Sequence, residues 1–145
     1  MSKNGELPIA EFGAPGQMRD ALITAILSGQ KTTTSSLVQQ YAASDEPLPQ
    51  AGVRWLLMDS HSRGVGVIET VAVDVMPLAE VPLQHAIDEG EGFTTVAQWR
   101  AAHESYWRSP QLTQELGHAV QLDDDTPVVL ERFLLRNIEN PWVCE

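Results

Sequence analysis

The run Gln17-Met18-Arg19-Asp20-Ala21-Leu22-Ile23-Thr24-Ala25-Ile26-Leu27-Ser28-Gly29-Gln30-Lys31-Thr32-Thr33-Thr34-Ser35-Ser36 changes its periodicity midway, and that change decides the fold class. In the first half Met18, Ala21, Leu22, Ala25 and Ile26 recur at helical spacing, and Gly29 stands where a left-handed residue closes a helix. A helix over Gln17–Gly29 is predicted. From Lys31 to Ser36 the β-branched and hydroxyl-rich run favours an extended backbone. Lys31 therefore falls at a helix-to-strand junction.

Downstream, Ser44–Gly52 has the proline-rich, acidic composition of a surface loop. Arg54–Asp59 and Val65–Met76 read as strands joined through the turn-like Ser60–Gly64, a hairpin. Val65, Val67, Val71, Val73 and Val75 share one face of the second strand at period two, and Glu69 falls on that face. An inward carboxylate must be paired or neutralised, so Glu69 is either a ligand contact or the partner of an arginine. Leu83–Asp88 can form a short helix before Glu89-Gly90-Glu91-Gly92. Thr95 and Gln98 have capping-box spacing ahead of a helix whose apolar positions are Val96, Trp99, His103, Tyr106 and Trp107. Ser109-Pro110 starts another helix, through Leu112 and Leu116 and ending near Gly117, and Val128–Leu135 reads as a closing strand. The sum is α+β, with several short strands and one long helix pointing to a small barrel flanked by helices, and 1–145 is expected to be a single domain.

Twenty acidic residues against nine basic give a net charge of −11, and Lys3 and Lys31 are the two lysines. Such a chain repels a phosphate backbone at long range, which disfavours broad DNA or RNA coating. No apolar run approaches a membrane span, Met1–Glu6 lacks the apolar segment of a signal peptide, and the lone Cys144 has no internal partner, so a cytoplasmic location is expected. Four scattered histidines and one cysteine match no zinc template, and GxGxxG, Walker and GxSxG motifs are absent, so neither a metal nor a cofactor is expected. The oligomeric state stays open.

Chemistry is best sought at Lys31, because an ammonium beside a threonine hydroxyl lowers the cost of an alkoxide. The plain alternative is a lysine favouring a helix C-terminus, with threonines suited to a strand. Asp88–Gly92 places carboxylates on a glycine-rich segment open to a ligand, or is simply a solvated acidic turn. Trp99, Tyr106 and Trp107 could stack on a base but at helical spacing suit a core, and His103 on the same face suits a hydrogen-bonded core position.

Gly29-Gln30-Lys31-Thr32-Thr33-Thr34 after an amphipathic helix resembles the G-x-K-T-x-T signature of the ASCH domain family. Tyr41, Glu46-Pro47-Leu48-Pro49 before Gly52, Val67-Ile68-Glu69-Thr70, Glu89-Gly90-Glu91-Gly92, Trp99-Arg100 and His103 follow in the family's order, so the resemblance runs from about Glu11 to Trp107. It is strongest to the longer bacterial members and implies a PUA-like fold, a small β-barrel flanked by helices that binds a nucleoside or RNA in a cleft. Shorter relatives hydrolyse the acetyl amide of N4-acetylcytidine, and a longer one has been described as a ribonuclease. Carried onto matching positions, the hydrolase reading makes Thr34 the nucleophile, Lys31 its activator and Glu89 the acid/base, with Glu91 a competitor for that role. Glu69, Glu91, Tyr41 and Arg100 are the expected substrate-binding residues. The chain departs from longer members by placing Phe93 where an aspartate is often found. An RNA-binding module or a ribonuclease using the same cleft is the alternative.

Overall fold

The first helix, α1 (Gln17–Leu27), stops at Ser28 because Gly29 takes φ +85°, and the next residues turn straight into a strand. The computed structural model describes residues 7–137. Lys3 and Cys144 lie outside them. In chain order the elements are β1 (Ile9–Ala10), α1 (Gln17–Leu27), β2 (Thr33–Leu37), α2 (Val38–Ala43), β3 (Arg54–Met58), β4 (Gly64–Pro77), a 3-10 turn (Leu78–Glu80), α3 (Leu83–Asp88), α4 (Val96–Trp107), α5 (Pro110–Leu116) and β5 (Pro127–Asn137).

The strands form one five-stranded sheet in the order β1-β3-β4-β5-β2. All pairings are antiparallel except β1 with β3. The class is α+β, as the sequence predicts, but β1 and β2 end the sheet without pairing to each other, so among the described residues the expected barrel is not closed. Strand β4 pairs β3 over its first half and β5 over nearly its whole length, with irregularities between Val67 and Ile68 and between Thr70 and Ala72. The first leaves the extra residue, Arg136, on β5; the second leaves Val71 as the extra residue on β4 and shifts its side-chain alternation there, which divides Val73 and Val75 from Val65 and Val67 and corrects the single valine face. Ile68 is in the core and Val75 is 49% exposed. Glu69 is not aimed into a valine cluster; its carboxylate accepts from Arg54 Nε and Arg136 Nε, each at 3.1 Å.

Two apolar clusters hold the layers together. Leu37, Ala86, Trp99, Trp107, Leu112, Val128 and Leu130 tie β2 and β5 to helices α3–α5, with the Trp99 and Trp107 rings edge to face at 6.2 Å. Ile23, Ile26, Leu57, Ile68 and Phe133 pack α1 against the centre of the sheet. The helix starts follow the sequence signals: Thr95 Oγ1 accepts from the Gln98 amide, and Ser109 Oγ accepts from the Leu112 amide behind Pro110. The reciprocal arm of the capping box lands one residue early, since the Gln98 side chain accepts from the Thr94 amide. Helix α2 and strand β1 have no counterpart in the sequence reading, being too short to display a period.

The fold brings two distant motif segments together at the backbone. The Thr32 amide donates to the Asp88 carbonyl at 2.8 Å, and the Arg132 guanidinium bonds both Asp88 and Thr32. Gly90, at φ +72°, lies so close that a Cβ there would sit 2.5 Å from the Gln30 carbonyl oxygen and 2.9 Å from Lys31 Cα. Gly92 also has positive φ, yet a Cβ there meets nothing within 4 Å. Forcing a side chain into such a backbone costs about 1–3 kcal/mol, and at Gly90 displacement of the junction adds to it. Gly90→Ala is expected to lower the urea-unfolding free energy clearly more than Gly92→Ala; equal losses would contradict this docking.

Candidate functional site

Lys31 is brought to 2% exposure by the turn after α1, and its ammonium must be satisfied inside the protein. Nζ donates to the Thr33 carbonyl at 2.8 Å and the Glu89 carbonyl at 3.4 Å, and it lies 3.5 Å from the Glu91 carboxylate. The first of these carbonyls belongs to the peptide joining Thr33 to Thr34. Thr33 itself is fully buried and its hydroxyl donates to the His85 carbonyl, which pins β2 to α3.

Glu89 ends α3 and is 1% exposed. Its Oε2 accepts from Ser35 Oγ and from Trp99 Nε1 at 2.8 Å, and its Oε1 lies 3.1 Å from His103 Nε2. Ser35 has a single proton, spent on Glu89, so the contact of 2.8 Å between Ser35 Oγ and His85 Nε2 makes His85 the donor. His103 Nδ1 is 2.9 Å from the Trp99 carbonyl, which can only accept. Nδ1 therefore carries a proton, and Nε2 facing a carboxylate must carry one too. His103 is an imidazolium, its ring stacked on Trp99 at 4.5 Å. Burial works against charge on both partners, but hydrogen bonding from His103 and His85 and the charges of His103 and Lys31 hold Glu89 far below the ordinary glutamate range. Burial likewise opposes the His103 cation, and the Glu89 carboxylate overrides it to raise the histidine above its usual value.

Glu91 differs. Its side chain is 37% exposed, and partial withdrawal from solvent pushes its carboxyl up, with Lys31 opposing and Glu89 adding to the rise. It stands next to a cavity of about 990 Å³ whose walls include Lys31, Thr34, Tyr41, Glu89, His103 and Glu131. Tyr41 is hydrogen-bonded to Ser36 at 2.8 Å, and burial raises its phenol, which stays neutral.

Five of the residues singled out from sequence, Lys31, Thr34, Tyr41, Glu89 and Glu91, thus line one cavity. Two do not. Glu69 is held on the sheet surface by its two arginines, and Arg100 is committed to Glu104 and Asp124, tying α4 to the loop before β5. Sequence reasoning missed Ser35, His85 and His103 as partners of Glu89; the signal available was the four-residue spacing of His85 to Glu89 and of Trp99 to His103. Among the described residues no group of three or more His, Cys, Asp or Glu side chains is placed to hold a metal, and no helix is long and apolar enough to cross a membrane.

The family model described as ASCH domain matches residues 8–136. The chain belongs to the ASCH domain family. Members of this family have a general connection to RNA. This ASCH domain is similar to the crystal structure of an ASCH domain from Lactobacillus crispatus JV V101, with TM-score 0.78 and 26% identity over 90% of this chain and 80% of that one. It also shares its fold with a protein from Enterococcus faecalis V583, with TM-score 0.77 and 24% identity over 95% and 80% of the two chains. A comparison with curated protein sequences finds no match.

Glu89 and His103 set opposite pH limits on stability. A depressed carboxyl contributes stability above its ordinary value of 4.5 that is lost as pH falls; a raised histidine contributes stability below 6.5 that is lost as pH rises through its folded value. Removing one member of a buried pair costs about 3–5 kcal/mol. Glu89→Gln is expected to lose that much in chemical denaturation and to lose the decline in stability on the alkaline side. A variant as stable as wild type at neutral pH would contradict the pairing.

Proposed function

We propose that the cavity takes a nucleoside or RNA-derived ligand and that the domain hydrolyses an N-acyl amide of the N4-acetylcytidine type. The observation that carries this reading is the buried Lys31 ammonium, bonded to the Thr33–Thr34 peptide and 3.5 Å from Glu91, on the wall of a cavity that Thr34 also lines. In this reading Thr34 Oγ1 attacks the amide carbon and passes its proton to a carboxylate. Lys31 stabilises the oxyanion character that develops on Thr34. The same carboxyl then protonates the departing exocyclic nitrogen, leaving cytidine and an acetyl ester on Thr34. Water cleaves that ester to acetate and restores the hydroxyl.

Of the two carboxylates in the acidic segment, Glu91 suits the proton transfers. Glu89 is saturated by donors and held ionised, which fits it to fix His103 and the Lys31 segment instead. Glu91 is open to the cavity and raised in pKa, closer to the working pH of a general base. The acidic lining also disfavours a phosphate-rich ligand in the cavity and leaves a neutral nucleoside acceptable. A cytoplasmic location is part of the same reading, since modified nucleosides arise there from RNA turnover.

The test is acetate release from N4-acetylcytidine. Thr34→Ala is expected to reduce turnover by at least about 10³-fold, with Thr34→Ser retaining part of it. The wild-type rate should fall on the acid side at a pH above the ordinary glutamate range, and that limb should vanish in Glu91→Gln. Unchanged turnover in Thr34→Ala removes the nucleophile, and binding of the nucleoside without wild-type turnover would make the domain a binding module.

A further inference from the structure

Among the described residues, six acidic side chains are not solvent-exposed: Asp59, Glu69, Asp88, Glu89, Glu104 and Glu131. Five have a cationic partner within ion-pair distance: Asp59 has Arg63, Glu69 has Arg54 and Arg136, Asp88 has Arg132, Glu89 has His103, and Glu104 has Arg100 and Arg108. Glu131 is the exception. It sits in β5 directly across from Thr34 in β2, so the two side chains project to the same face of the sheet, and both line the cavity.

Its surroundings orient it. Trp55 Nε1 can only donate, and it does so to Thr70 Oγ1 at 3.0 Å; the single Thr70 proton then goes to Glu131 Oε2 at 2.6 Å. Thr70 is fully buried, so this chain of donors is fixed within the fold. It holds one carboxyl oxygen, and among the described residues Oε1 has no hydrogen-bond partner. A carboxyl that the fold anchors on one side, faces to a cavity on the other and does not pair with any cation is built for a ligand group.

We propose that Glu131 is the residue by which the cavity selects its base, pairing with an amidine-type edge in which a basic ring nitrogen stands beside an exocyclic N–H, as on a 4-aminopyrimidine. This rests on the nucleoside reading given above and deepens it. Such an edge satisfies a carboxyl in either charge state: the acid donates to the ring nitrogen while its other oxygen accepts from the N–H, and the carboxylate accepts from the N–H with the ring nitrogen protonated. An imide edge, as on uracil, has no basic nitrogen to match. An N-acyl group on the exocyclic nitrogen leaves one N–H in place, and Thr34 stands next to Glu131 across the two strands. Burial pushes the Glu131 carboxyl above the ordinary glutamate range, and the Thr70 hydrogen bond offsets only part of that rise, which suits a carboxyl that shares its proton with a weakly basic ligand.

The test is equilibrium binding of cytidine and of uridine, by calorimetry, to the full chain and to Glu131→Leu and Glu131→Gln. Wild type should prefer cytidine by about tenfold, a discrimination typical of a bidentate base contact. Glu131→Leu should lose the preference. Glu131→Gln, which keeps one donor and one acceptor, should keep most of it. No preference in wild type, no binding of either nucleoside, or an unchanged preference in Glu131→Leu overturns the proposal. These outcomes do not depend on catalysis: a Glu131-dependent cytidine preference without acetate release would support base selection and remove the hydrolase reading, whereas acetate release with an unchanged preference in Glu131→Leu would do the reverse.

Discussion

The Glu89 carboxylate, 1% exposed and ionised, is the constraint around which the rest of the molecule is arranged. An unpaired charge at that depth is prohibitive, so donors must converge on it from several elements. Ser35 comes from β2, itself held by His85 of α3, and Trp99 and His103 come from α4. The indole of Trp99 thereby has two roles, filling the core between the sheet and α5 while spending its one N–H on the carboxylate. Because β2 and α3 are bound to the same group, the turn bearing Lys31 is held against the segment bearing Glu91. Rigidity of the site follows from the need to solvate one buried charge.

The same arrangement separates the duties of two neighbouring acids. Glu89 has no oxygen to spare for a proton and is kept ionised by cations on more than one side. Glu91, two residues on, has Lys31 as its cationic partner and faces the cavity edge. Gly90 between them, with its positive φ and missing Cβ, lets the backbone pass against Gln30 and Lys31. A net charge of −11 is consistent with this design. It weighs against a phosphate backbone and not against a neutral base.

What the sequence disclosed was local. The helix-to-strand switch at Gly29–Lys31, the Thr95 and Ser109 caps and the short helix ahead of Glu89 rest on rules that act within a few residues, and each is found where those rules put it. Resemblance added the link between Lys31 and the acidic segment, which spacing could not supply. The failures were matters of register. Period-two alternation placed five valines of β4 on one face, and the extra residue at Val71 divides them; Glu69 is claimed by Arg54 and Arg136 beside it, partners that alternation does not display. Closure of a barrel depends on whether β1 and β2 meet, a pairing no local pattern encodes. Glu131 lay in an apolar run that reads only as a strand; its importance depends on Thr70 and Trp55, which reach it through tertiary contacts. Arg100 stood next to Trp99 in the family's order, yet its side chain leaves α4 on the side away from the cavity and ends on Glu104 and Asp124.

The charge state of His103 is the quantity to measure, since the imidazolium is what permits Glu89 to remain ionised inside the protein. Nitrogen-15 NMR of the histidine rings, followed across pH, reads both ring nitrogens. Both nitrogens of His103 are expected to stay protonated above the ordinary histidine value of 6.5, and Glu89→Gln is expected to return the ring to the neutral form at neutral pH. A single protonated nitrogen on His103 at neutral pH in wild type would contradict it.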